Sequence, residues 1–153
     1  MTSGKVGKAF EAVRFDPKSA PPSARWMGME LVEHDAERMY SKLTFDPKPE
    51  MVNFGGVLQG GFLSAMLDDA MGFNCFISMK MKNNQATIDL HTHYFKAVPL
   101  GPVTVEAWVV RTGKSVAFLE AKLYDQAGEL AVRATSSTKL RPFVPSERNT
   151  GKR

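Results

Sequence analysis

Residues 53–73 read NFGGVLQGGFLSAMLDDAMGF, a glycine-rich approach followed by Leu, Ala, Met and Phe at nearly every angular position of a helix. A helix that is apolar around most of its circumference must be wrapped by other elements to leave water. The spacing predicts a helix over about 58–80, entered from a flexible loop. Whatever else the chain forms has to enclose it.

The flanking segments have the length and punctuation of strands. Two short ones are predicted at 27–33 and 38–45, joined by a turn at 34–37, with Pro47 and Pro49 closing the hairpin. Before them, 16–23 is rich in Pro and Ser and reads as a loop. After the helix, strands are predicted at 87–95, 103–110, 115–125 and 130–140, with turn signals at 112–114 and 126–129. Val103, Val105, Ala107 and Val109 alternate with Thr104, Glu106, Trp108 and Val110, and Ala117, Leu119, Ala121 and Leu123 share one face of the next strand. Short connections of this kind join antiparallel neighbours. The order β-β-α-β-β-β-β therefore places the chain in the α+β class, as a curved antiparallel sheet around one long helix. One helix covers one face of such a sheet, so the chain is expected to bury remaining sheet or edge against a second copy of itself.

With 153 residues, 43% hydrophobic and 24% charged, the chain has the make-up of one domain with one core. The whole of 1–153 reads as that domain, its core near 26–140. The net charge of +4 sits at the ends: residues 1–18 hold four basic against two acidic residues, and 141–153 hold four against one. Basic tails on a near-neutral body read as solvated ends and argue against a nucleic-acid surface, which would need a basic face within the fold. The lone Cys75 excludes an intramolecular disulfide or a cysteine zinc site and suits a reducing, cytoplasmic setting. No apolar run is long enough to span a bilayer, and the opening fifteen residues lack the apolar stretch of a signal peptide.

Several pieces, in this order and spacing, resemble the hotdog-fold thioesterases, in particular the phenylacetyl-CoA thioesterase (PaaI-type) branch. They are Asn53, then Gln59-Gly60-Gly61 opening the helix, then Leu67-Asp68-Asp69-Ala70-Met71-Gly72 two turns later. The strand beginning Thr87-Ile88-Asp89-Leu90 and the hairpin from Arg111 to Phe118 extend the likeness, which covers about 26–140. The resemblance implies hydrolysis of acyl-CoA with no cofactor beyond the coenzyme A of the substrate, in a homodimer that pairs into a dimer of dimers. It implies that the Gly60 N–H binds the thioester carbonyl oxygen, that Asn53 holds the thioester region, and that Asp68 is nucleophile or general base. A hydroxyl at Thr87 would orient the attacking water. Many relatives have His where this chain has Gln59; a glutamine hydrogen-bonds substrate but moves no proton near neutral pH.

The residues support that chemistry independently. Thioester hydrolysis passes through a tetrahedral oxyanion, which needs preorganised donors and an activated nucleophile nearby. A helix N-terminus offers free N–H groups and partial positive charge, and Gly60 and Gly61 admit a ligand close to the backbone. Asp68 lies eight residues beyond Gly60, about 12 Å along the helix, so the two meet at one thioester only if they come from different subunits. A carboxylate in this apolar helix is expected to be raised in pKa by burial, as suits a base. Asp69, about 100° round the helix, is expected to serve a helix terminus or a basic side chain. Alternation from Thr87 puts Asp89, His91, His93 and Phe95 on its face; the two histidines read as surface or interface residues, and no metal site is expected. Arg111, Lys114, Lys139 and Arg141 are the cations available for coenzyme A phosphates. Phe54, Phe62, Met66 and Met71 are available for an apolar acyl pocket. One competing reading, a hotdog hydratase or dehydratase, needs a His–carboxylate pair for which Gln59 leaves no good candidate; the other is an acyl-CoA-binding module that keeps the fold without catalysis.

Overall fold

A computed structural model describes residues 20–144. The elements run α1 (Pro22–Trp26), β1 (Glu30–Asp35), β2 (Tyr40–Phe45), α2 (Gly60–Ser78), β3 (Asn83–Tyr94), β4 (Val103–Thr112), β5 (Val116–Tyr124) and β6 (Leu130–Pro142), with a 3-10 turn at Pro49–Met51. The strands form one six-stranded sheet in the order β1-β2-β4-β5-β6-β3, each pair antiparallel. This is the α+β arrangement expected from the pattern, a sheet wrapped on one long helix.

The inward faces are those the alternation marks. Val103, Val105, Ala107 and Val109 of β4 and Ala117, Leu119, Ala121 and Leu123 of β5 are buried against Leu63, Met66, Leu67, Ala70 and Met71 of α2. Alanines on the sheet let the helix approach closely, while the larger side chains fill the gaps; each fully buried one contributes about 2 kcal/mol. The helix starts and stops within two residues of expectation. It ends in a closure in which Met81 N–H donates to Phe76 C=O at 2.8 Å, with Lys80 and Met81 in the left-handed region.

Two expectations are corrected at the N-terminal side. Part of the segment read as loop is helical: Pro22 sits in the first turn of α1, where its fixed φ suits the helix and its missing N–H costs nothing. The first strand begins at Glu30, not residue 27, because Gly28 turns the chain with φ +68, so close to Asp46 that a Cβ there would lie 2.9 Å from that side chain. Residues 16–19 and both basic tails, but for residues 141–144, lie outside the described residues. Among the described residues no helix is long and apolar enough to cross a membrane.

The main correction concerns β3. Its register with β6 slips between Thr87 and Asp89, which pair with Thr138 and Ser137. Ile88 is thus an extra, bulged residue, and the bulge reverses the alternation. Thr87 faces α2, as do Leu90, Thr92 and Tyr94, whereas Asp89 is on the outer face bonded to Ser137. His91 and His93 follow Asp89 outward and do not share Thr87's face.

Candidate active site

On α2, Gly60, Ser64 and Asp68 recur at every fourth position and so form one stripe of small and polar residues on an otherwise apolar helix. That stripe faces β3, which runs antiparallel to it. Tyr94 reaches Gly60, donating its phenol to the Gly60 carbonyl at 2.8 Å. Thr92 reaches Ser64 at 3.3 Å. Thr87 donates its hydroxyl to Asp68 Oδ1 at 2.9 Å. The result is a solvent-accessible polar seam along the edge of the sheet, and the bulge at Ile88 is what aims Thr87 into it.

The seam brings together Asp68 and Thr87, two of the expected site residues. A carboxylate oxygen held by a hydroxyl is a fixed acceptor, ready to take a proton from a water or to attack directly. Thr87→Ala leaves Asp68 free to rotate; turnover is expected to fall about tenfold with KM little changed, measured by steady-state kinetics.

At the other end of the stripe, Gln59 is the N-cap, with no side-chain capping bond. Phe62 and Leu63 N–H both turn back to the Gln59 carbonyl. The N–H groups of Gly60 and Gly61 have no protein acceptor among the described residues, and a Cβ at Gly61 would meet nothing within 4 Å. Two free donors at a positive helix end, open on one side, suit an anion or a polarised carbonyl oxygen.

The remaining expected site residues divide. Asn53 is close by but commits its side-chain oxygen to its own loop, accepting from Gly55 N–H at 2.8 Å and weakly from Val57 N–H at 3.4 Å. Its role visible in one chain is to hold the glycine loop that leads into α2. Phe54, at the tip of that loop, is fully exposed. Phe62 packs on Trp26, ring centroids 5.8 Å apart. Met66 and Met71 are wholly buried in the core of the single chain. Lys139 alternates with the inward Thr138 and Leu140, and Arg111 is paired with the outward Phe118, so both project from the outer face. With Lys114 and Arg141 they gather at the end of the sheet where α2 finishes, far from Gly60 of the same chain.

Asp69 departs from expectation. Its Oδ2 is buried without a hydrogen-bond partner among the described residues, so it serves neither a helix terminus nor a basic side chain. Burial, reinforced by the Asp68 carboxylate, pushes Asp69 up to about 6. In the unfolded chain Asp69 ionises near its ordinary value, so the native state binds the extra proton between roughly pH 4 and 6 and loses stability as pH rises through that window. Asp69→Asn is expected to stabilise by about 1 to 2 kcal/mol at pH 7.5, allowing for partial exposure, and by nothing below about pH 4. Thermal melts across that range would expose the idea as wrong if the gain did not depend on pH.

Sequence reasoning missed Tyr94, Ser64 and Thr92. The recurring four-residue spacing of Gly60, Ser64 and Asp68 was a usable signal for Ser64; the two β3 residues depend on the bulge, which alternation alone does not reveal.

The family model of the thioesterase superfamily matches residues 55–132, just over half of the chain, spanning α2, the seam and the strands behind it. The chain belongs to the thioesterase superfamily. A candidate esterase of Saccharolobus solfataricus is 30% identical over 98 residues, 64% of this chain and 65% of that protein, so the chain spans just under two thirds of that relative. Among solved structures, a thioesterase from Haemophilus influenzae superposes with a TM-score of 0.76 over 92% of this chain and 96% of its own, at 14% identity. The PaaI protein of the phenylacetic acid degradation operon of Escherichia coli superposes with a TM-score of 0.69 over 80% of this chain and 85% of its own, at 16% identity. These likenesses establish the hotdog fold of this superfamily member.

Proposed function

We propose that this thioesterase-superfamily protein hydrolyses acyl-coenzyme A at a site shared between two copies of the chain. The observation that carries the reading is the Asp68–Thr87 pair at 2.9 Å, on the same helix stripe as the free Gly60 and Gly61 donors but about 12 Å from them. One thioester cannot touch both ends of that stripe.

A second copy resolves the distance. β3 is a twelve-residue edge strand with a neighbour on one side only, and such edges pair. Antiparallel pairing of two β3 strands about a two-fold axis sets the Tyr94 end of one against the Asn83 end of the other. The seams then run in opposite directions, and Asp68 of one chain approaches the partner's Gly60. The cations at the far end of the sheet, Arg111, Lys114, Lys139 and Arg141, come to the same end of the paired sheets as that foreign helix start, Arg111 and Lys139 from the outer face, and are the cations available there to coenzyme A phosphates.

In this site the Gly60 and Gly61 N–H groups hold the thioester oxygen, and Asn53 and Gln59 bind beside it. Thr87 orients a water whose proton Asp68 removes as the water oxygen attacks the carbonyl carbon. The oxyanion collapses, the carbon–sulfur bond breaks, and the thiolate leaves and takes up a proton, yielding free acid and coenzyme A. Direct attack by Asp68 forms an anhydride that water then opens, with the same products.

A panel of aliphatic and aromatic acyl-CoAs, with released thiol followed by colour, tests the reaction. Tight binding without thiol release would assign a binding module instead. A stable monomer in sedimentation that still cleaves substrate would exclude the shared site.

A further inference from the structure

The geometry points to Tyr94 as a positioning residue for the oxyanion donors, acting through the Gly60 carbonyl at the end of a directed chain of hydroxyls. The inference rests on the thioesterase reading above and extends it to residues that touch no substrate.

The direction of the chain follows from the inventory of donors. A carbonyl only accepts, so the Tyr94 phenol spends its one proton on Gly60 C=O at 2.8 Å. Its oxygen must then accept from Ser64 Oγ, with which it makes a short contact. Ser64, its proton spent, accepts in turn from Thr92 Oγ1 at 3.3 Å. Thr92 to Ser64 to Tyr94 to Gly60 is therefore a single head-to-tail relay, in which each bond polarises the next.

Gly60 C=O and Gly61 N–H belong to one planar trans peptide, so they point in opposite directions. A donor fixed on the carbonyl fixes where the N–H aims and withdraws charge from it, making it a better donor. The tyrosine ring adds a steric limit: a Cβ on Gly60 would lie 3.3 Å from it, so the ring closes one side of the helix start. The side next to Gly61 stays open. A ring left half exposed by the fold, bonded at its tip to the first peptide of the catalytic helix, is placed to orient that peptide and contributes little to the core.

Tyr94→Phe keeps the ring and removes the relay's last donor. Loss of a direct oxyanion donor costs about 100- to 1,000-fold in kcat; an indirect one is expected to cost about tenfold, with KM within about twofold and Tm unchanged. Thr92→Val, at the far end, should lower kcat by less. The Gly61 amide proton in a nitrogen–proton NMR spectrum of the intact protein should move upfield in Tyr94→Phe, with Gly113 as unmoved control. An unchanged kcat, or a loss carried by KM, or an unmoved Gly61 amide, would overturn the inference. Wild-type protein that cleaves no thioester would overturn the functional reading alone, and the amide shift would still decide the placement.

Discussion

Asp68→Asn is expected to leave the fold intact and to lower thioester turnover by about a hundredfold or more, the scale of losing a general base. The substitution keeps shape and volume and retains a carbonyl oxygen able to accept the Thr87 hydroxyl that now reaches Oδ1. What it removes is negative charge and basicity, so substrate binding should survive while the chemical step fails. Steady-state kinetics on the best acyl-CoA, beside a thermal melt, make the measurement. Turnover within a few-fold of wild type would remove Asp68 from the mechanism. Comparison with Asp69→Asn sharpens the point, because that neighbour is buried on a different side of the helix and its replacement should raise stability and spare the chemistry.

The largest stability effect is expected at Asn74, which no catalytic argument selects. Its side chain is wholly buried and ties the end of α2 to the β1–β2 hairpin. Oδ1 accepts from Ser41 Oγ at 2.6 Å and from Ser78 Oγ at 3.2 Å, and Nδ2 donates to the Met39 carbonyl at 2.8 Å. Met39 is held in the left-handed region, a cost for a residue other than glycine, and its carbonyl also accepts from Val109 N–H at 3.0 Å. Burial lowers the pKa of His34, so a neutral ring completes the cluster, its Nδ1 against Tyr40 C=O and Ser41 Oγ, each at 3.0 Å. Asn74→Ala strands a buried hydroxyl and weakens the hold on Met39. The expected loss is about 3 kcal/mol, a fall in Tm of roughly 10 °C. Urea unfolding that places the variant within 1 kcal/mol of wild type, a difference of the order of one net hydrogen bond, would show that the hub does not anchor the hairpin.

Asn74 and Tyr94 illustrate what one-dimensional pattern hides. An isolated carboxamide between Phe73 and Cys75 carries no sign of its partners in β2 and the preceding turn, which lie more than thirty residues away. Tyr94 reads as one more aromatic in a strand until the bulge at Ile88 is known. Asp68 and Gly60, by contrast, were legible, because both lie on one helix whose spacing converts directly into position. The buried, unpartnered oxygen of Asp69 was not, since a difference of 100° around the axis acquires meaning only once the sheet has chosen a side.

From the sequence by itself follow the long helix that must be enclosed, the six strands around it and the short turns that make chain neighbours antiparallel. All of these depend on periodicity, which is a local property of neighbouring residues. Tertiary structure alone decided which face of β3 meets the helix, which carboxyl oxygen is buried without a partner among the described residues, and that the cations stand far from the start of the long helix in the same chain. Those outcomes depend on a one-residue slip of register and on contacts between segments far apart in the chain. A slip of one residue turns a side chain from one face of a sheet to the other, and no pattern within the strand records it.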